Sequence, residues 1–95
     1  TGYSYGKAVI IISDQYEEIK DKILNELDRG GTFLHGEGMY NRTEKKIIFT
    51  TLSRKQLPQL IHFVHQIDDK AFLSIFNDSE TVGEGFTSLR EKALN

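Results

Sequence analysis

The chain has 95 residues, 38% hydrophobic and 27% charged, a balance that suits one globular domain and not a disordered chain or a coiled coil. Twelve Lys and Arg against fourteen Asp and Glu leave a net charge of −2, without the concentrated basic face of a nucleic-acid binder. Cysteine is absent, which excludes disulfides, thiolate metal sites and a cysteine nucleophile, and the longest apolar run, Ala8 to Ile12, is far short of the roughly 20 residues of a spanning helix.

Lys7 to Ser13 (KAVIIIS) is apolar at every position from 8 to 12 and β-branched, the pattern of a central strand covered on both faces. Ser13 or Asp14, with Glu17, then offers a helix cap. Tyr16, Ile19, Ile23, Leu24 and Leu27 follow at helical spacing and predict one apolar stripe. Arg29, Gly30 and Gly31 stop that helix, a cation and then glycines free to take positive φ. Thr32 to Tyr40 predicts a second strand interrupted by Gly36 and Gly38, residues 41–44 a polar turn, and Lys45 to Ser53 a third strand closing a hairpin.

Ser53 with Gln56 repeats the capping pattern and opens a second helix to about Ile67, with Leu57, Leu60, Ile61, Val64 and Ile67 as its buried stripe. Counted from Ser53, Pro58 is the fifth helical residue and forfeits a backbone bond. The alternative is a helix that starts at Pro58, with residues 54–57 as a separate turn. Ala71 to Asn77 predicts a fourth strand. Val82-Gly83-Glu84-Gly85-Phe86 and a short charged segment end the chain.

The order is β-α-β-β-α-β: an α+β, ferredoxin-like fold with a four-stranded antiparallel sheet and both helices on one face. One domain of 1–95 is expected, with its core over about 7–86 and a tail over 87–95. Two helices cover one face only, yet the strands are apolar on both. Ile10 and Ile12 oppose Val9 and Ile11, and Phe72 and Phe76 oppose Leu73 and Ile75. Monomers seldom leave so large an apolar patch in water, so a homo-oligomer through the open sheet face is expected.

Three glycine clusters are the candidate site: Gly30-Gly31, Gly36-Glu37-Gly38 and Gly83-Glu84-Gly85. Glycines let backbone N–H groups approach an anion, but a helix cap, a strand bulge and a turn account for them equally simply. None is a phosphate loop or a dinucleotide fingerprint. In the strand order, Gly36 and Gly38 lie on one edge strand and Gly83 and Gly85 follow the other, so they meet only between copies. The expected intersubunit site therefore combines Arg29, Gly30, Gly31, Gly36, Glu37, Gly38 and Tyr40 of one copy with Gly83, Glu84, Gly85 and Phe86 of the next. Arg29 would supply charge, glycine N–H groups donors, and Tyr40 or Phe86 a stacking ring. The glutamates favour a nucleoside-bearing ligand over bare phosphate.

Other chemistry finds little support. His62 and His65, three apart on the second helix, supply two ligands where zinc wants three or four, and read as surface histidines with His35. Asp68-Asp69 reads as a polar helix exit. No nucleophile triad emerges from the spacing. An RNA-recognition sheet would carry glycines and paired aromatics on its third strand, where Lys45 to Thr51 has no glycine and one aromatic.

Taken together, the Ala8–Ser13 strand, Leu27-Asp28-Arg29-Gly30-Gly31-Thr32, Gly36-Glu37-Gly38-Met39-Tyr40, Ile67-Asp68, Ala71-Phe72 and Val82-Gly83-Glu84-Gly85-Phe86 resemble one family. It is the soluble C-terminal domain of the YitT family of bacterial multipass membrane proteins, matched from about Ala8 to Phe86 and departed from at Asn41 and Asp69. The resemblance implies membrane helices before Thr1 and a domain on the cytoplasmic side. It also implies a layout similar to PII-type signalling proteins, which assemble and bind nucleotides between subunits. It brings no catalytic residues. The expected function is thus a non-catalytic regulatory domain that binds a small anionic or nucleotide-like ligand and signals to an attached membrane domain, with no cofactor and no nucleic acid. The alternative is a structural oligomerisation domain without a ligand.

Overall fold

Five consecutive apolar residues belong in a strand with a neighbour on each side, and β1 (Gly6–Ile12) takes that central place, with a helix layer on one face only. A computed structural model describes residues 6–78. After β1 come α1 (Tyr16–Glu26), β2 (Thr32–Glu37), β3 (Glu44–Ser53), α2 (Leu57–Ile67) and β4 (Phe72–Asp78). The sheet order is β2-β3-β1-β4 and every pairing is antiparallel. This is the ferredoxin-like α+β arrangement that the order of elements predicts.

Register divides the strand residues between two environments. Val9 pairs with Thr50 and Ile75, and Ile11 with Ile48 and Leu73, on the face that the helices cover. Ile19, Ile23 and Leu27 of α1 and Leu60, Phe63 and Val64 of α2 close over Val9, Ile11, Ile48 and Leu52 to make the core. On the other face Ile10 pairs with Phe49 and Ser74, and Ile12 with Ile47 and Phe72. Among the described residues nothing covers this face, and Phe72 is 61% and Phe76 49% exposed.

Three local expectations need correction. Helix α1 is capped by Gln15 without a side-chain bond, because Ser13 Oγ accepts the Gln15 N–H (2.9 Å) and donates to Asp68 Oδ2 (2.6 Å). The left-handed residue after α1 is Asp28 (φ 54°), not a glycine, and Arg29 N–H then bonds back to Ile23 O (3.2 Å). In α2 the buried stripe includes Phe63 and leaves Ile61 half-exposed, while Leu24 of α1 stands at the rim of the core.

The Pro58 conflict resolves as a 3-10 turn over Arg54–Gln56, after which α2 begins at Leu57 with proline in its first turn, where no N–H is needed. Gln56 holds this corner: its Oε1 accepts from Ser53 N–H (3.1 Å) and its Nε2 donates to Leu27 O (2.9 Å) at the end of α1.

Candidate functional site

The first glycine cluster is structural. Arg29 is only 5% exposed, and its Nε donates to Thr51 O at 3.0 Å. Burial pushes the guanidinium pKa down, opposed by the charge of Asp28. Arg29 therefore stitches the α1–β2 connection to β3. Thr50 Oγ1 donates to Gly30 O at 2.6 Å. A Cβ on Gly31 would lie 2.8 Å from Phe49 O, so the chain leaves α1 too close to the β3 backbone for any side chain.

The second cluster builds a hairpin. Gly38 N–H donates to Thr43 O (2.8 Å), Arg42 N–H donates to Gly38 O (3.0 Å), and Asn41 Oδ1 accepts from the Thr43 N–H and hydroxyl. Arg42 adopts φ 64° and its guanidinium pairs with Glu37. β2 consequently ends at Glu37, where the sequence pattern carries the strand on to Tyr40: the bonds of Gly38 belong to the turn. Met39 and Tyr40 stand at its tip, 97% and 99% exposed. A Cβ on Gly36 would meet Ile47 Cδ1, and one on Gly38 would meet Asn41 Oδ1, each at 2.8 Å. At Gly38 the neighbour is the Asn41 oxygen that the turn's hydrogen bonds hold in place, and at Gly36 it is the tip of a side chain that can turn aside.

The two clusters occupy opposite ends of β2, roughly 20 Å apart along the strand. Within one subunit, Arg29, Gly30 and Gly31 therefore stand at one end of β2 and Gly36, Glu37, Gly38 and Tyr40 at the other. Gly83, Glu84, Gly85 and Phe86 lie outside the described residues. His35, His62 and His65 are exposed, and among the described residues no three His, Cys, Asp or Glu side chains gather as a metal site.

Two features escape the sequence reading. Tyr16 and Phe33 meet edge to face with ring centres 5.7 Å apart, and Lys46 Nζ lies over both rings at 5.4 and 5.6 Å. Beside them an apolar cleft of about 160 Å³ opens between α1 and β2, lined by Ile23, Leu24, Phe33 and Ile48. The sequence signal for the cleft is Leu24, which lies at the edge of its helical stripe, next to an edge strand that begins with glycine.

Residues 29–83 match the bacterial family DUF2179, described as an uncharacterized protein conserved in bacteria. This chain belongs to that family. An uncharacterized protein from Bacillus sp. (strain PS3) is 34% identical over 90% of this chain and 57% of its own length. The UPF0750 membrane protein YpjC of Bacillus subtilis is also 34% identical over 90% of this chain, but only 29% of its length. YitT of the same organism shares that membrane-protein name. The crystal structure of a DUF2179 protein from Eubacterium ventriosum superposes with a TM-score of 0.66 at 28% identity, covering 75% of this chain and 97% of that one. This chain thus spans between about a quarter and three-fifths of the length of these curated relatives, and the UPF0750 relatives are named membrane proteins. Among its described residues no helix is long and apolar enough to cross a membrane.

Proposed function

We propose that this chain is a non-catalytic regulatory domain carried by a membrane protein, on its cytoplasmic side. Copies associate through the open sheet face, and a small anionic or nucleotide-like ligand bound between them signals to the membrane domain. The observation that carries the reading is the open face itself: an apolar surface that a lone domain would leave in water, on a chain whose relatives are membrane proteins. The ligand-contacting part is the hairpin, where Gly36 and Glu37 end β2 and Gly38 and Tyr40 sit on the hydrogen-bonded turn, with residues 83–86 of the neighbouring copy as the expected complement. Arg29 keeps its structural role. Transfer between copies gives signalling a route: a ligand that bridges subunits changes how tightly they associate.

A second reading, an assembly domain without a ligand, is favoured by a specific observation. Gly31 is required by the β3 backbone at Phe49 O, and Gly36 and Gly38 lie against the Ile47 and Asn41 side chains inside the subunit. A thermal-shift screen against nucleotides, amino acids and common anions separates the two. A ligand at a hundred times its Kd adds about 2.7 kcal/mol of stability. A response that disappears in Tyr40→Ala supports the hairpin site, and no response to any compound supports assembly alone.

A further inference from the structure

We infer that copies of this chain join edge to edge, with Ile75 on β4 of one copy seated in the cleft between α1 and β2 of the next. The inference goes beyond the assembly reading above: it adds a contact at the sheet edges to the one proposed at the open face.

Strand direction permits the joint. β1 is antiparallel to both β3 and β4, and β3 is antiparallel to β2, so β2 runs with β1 and against β4. These are the two outer strands, each with one neighbour among the described residues. A second copy rotated about an axis along the strands brings its β2 beside this β4 in the antiparallel sense, and the sheet continues with its own hydrogen-bond pattern.

The side chains match as well. Ile75 lies level with Val9 and Thr50 on the helix-covered face, and one further step along the β2–β3 register brings that row to Gly31. At one end of the row Ile75 is 41% exposed, although its row-mate Val9 is fully buried. At the other end Gly31 has no side chain and opens onto the cleft lined by Ile23, Leu24, Phe33 and Ile48. One edge carries an apolar knob and the other an apolar hole at the same height. The charge at the mouth is already met, because Lys20 pairs with Glu17 and Asp21 at 3.1 Å each. On the opposite face, Leu34 at one edge and Phe72 at the other share the row of Ile47 and Ile12 and are exposed, and the joint sets them side by side. A single contact thus covers apolar surface on both faces of the sheet. It is a head-to-tail interface, so it closes as a ring or runs on as a filament.

The absence of native cysteine makes the test direct. Leu24→Cys and Ile75→Cys proteins, mixed and oxidised, should form a disulfide-linked dimer far above either protein alone. Within one subunit the two positions flank a four-stranded sheet, beyond the roughly 7 Å that a disulfide tolerates. Ile75→Lys and, from the other side, Leu24→Glu should each weaken association at least about tenfold by sedimentation, with the circular dichroism of the parent retained. Self-linking of Ile75→Cys equal to the mixture would overturn the joint in favour of a two-fold contact. Self-linking of Phe49→Cys without a linked mixture would overturn it while leaving assembly by face-to-face stacking intact. A monomer at about 100 µM would overturn both readings, and one in which Leu24→Cys resists alkylation would assign the cleft to the chain's own remaining residues.

Discussion

The two faces of one sheet hold nearly the same residues and do different work. On the helix side Val9, Ile11, Ile48 and Leu52 are buried beneath α1 and α2. On the open side Ile10, Ile12, Ile47 and Phe49 come from the same two strands, one residue out of phase, and face no other element among the described residues. Strand periodicity assigns alternate residues to opposite faces, but it cannot say what covers each face. The difference teaches that apolar content alone marks surface to be buried, and that only the helix count tells how much of it one subunit can bury. The first face holds the fold, and the second is the one through which we propose that copies associate.

Truncation should separate the faces most sharply. Ile11→Ala opens a cavity in the helix-covered layer and should cost about 2–5 kcal/mol of unfolding free energy. Phe76→Ala on the open face should cost less than about 1 kcal/mol in dilute solution, because its ring is half exposed. Urea denaturation of both variants at low concentration checks the pair. Equal costs would show that the open face is covered within the subunit, and the contrast would fail.

The junction of α1 and β2 offers the next largest effect. Thr50→Val preserves shape but strips the Gly30 carbonyl of its 2.6 Å partner, at about 1–3 kcal/mol. Gly31→Ala drives a methyl against Phe49 O and should cost a similar amount, about 1–3 kcal/mol, by prising β2 from β3. Both should lower the urea midpoint at an unchanged slope, since the fold is retained.

These positions also show what the sequence made legible. The order β-α-β-β-α-β, the paired faces and the Pro58 corner follow from periodicity and cap chemistry, which act over a few residues. The glycines illustrate the opposite case. Gly31, Gly36 and Gly38 read as possible ligand contacts because a missing side chain looks the same whether a ligand or a neighbouring strand approaches it. Only the β2–β3 register shows that Phe49 O, Ile47 and Asn41 fill the space. The burial of Arg29 is hidden for a related reason: a cation after a helix reads as exposed, and its partner Thr51 lies twenty-two residues away. The α1–β2 cleft is tertiary throughout and leaves almost no linear trace.

A smaller effect is expected at the hairpin tip. Tyr40→Ala removes a side chain that touches little, and stability should change by less than about 0.5 kcal/mol. Any larger loss would show that the tip is packed against something in solution. The hairpin would then belong with the buried side of the comparison.

The slightest expected effect is electrostatic and lies where the sheet meets the helix layer. The Ser13 hydroxyl donates to Asp68 Oδ2 (2.6 Å) and Lys70 N–H donates to Oδ1 (2.9 Å), which together hold the Asp68 carboxyl below the ordinary carboxylate range, with the nearby Lys70 charge helping. A carboxylate with a depressed folded pKa binds its proton more readily in the unfolded chain. Its contribution is therefore fully present above about pH 4, the unfolded value, and is lost as pH falls through the folded value. Ser13→Ala should move the Asp68 titration, followed by NMR, upward toward the ordinary range and flatten the acid limb of stability against pH. The same variant also deprives the Gln15 N–H of its acceptor, but that loss is independent of pH and displaces the whole curve without changing its slope. Asp68→Asn separates the two, since it removes the titration and leaves the Gln15 contact to Ser13. If Asp68→Asn keeps the wild-type acid limb, the pH dependence arises elsewhere and this corner is held by packing alone.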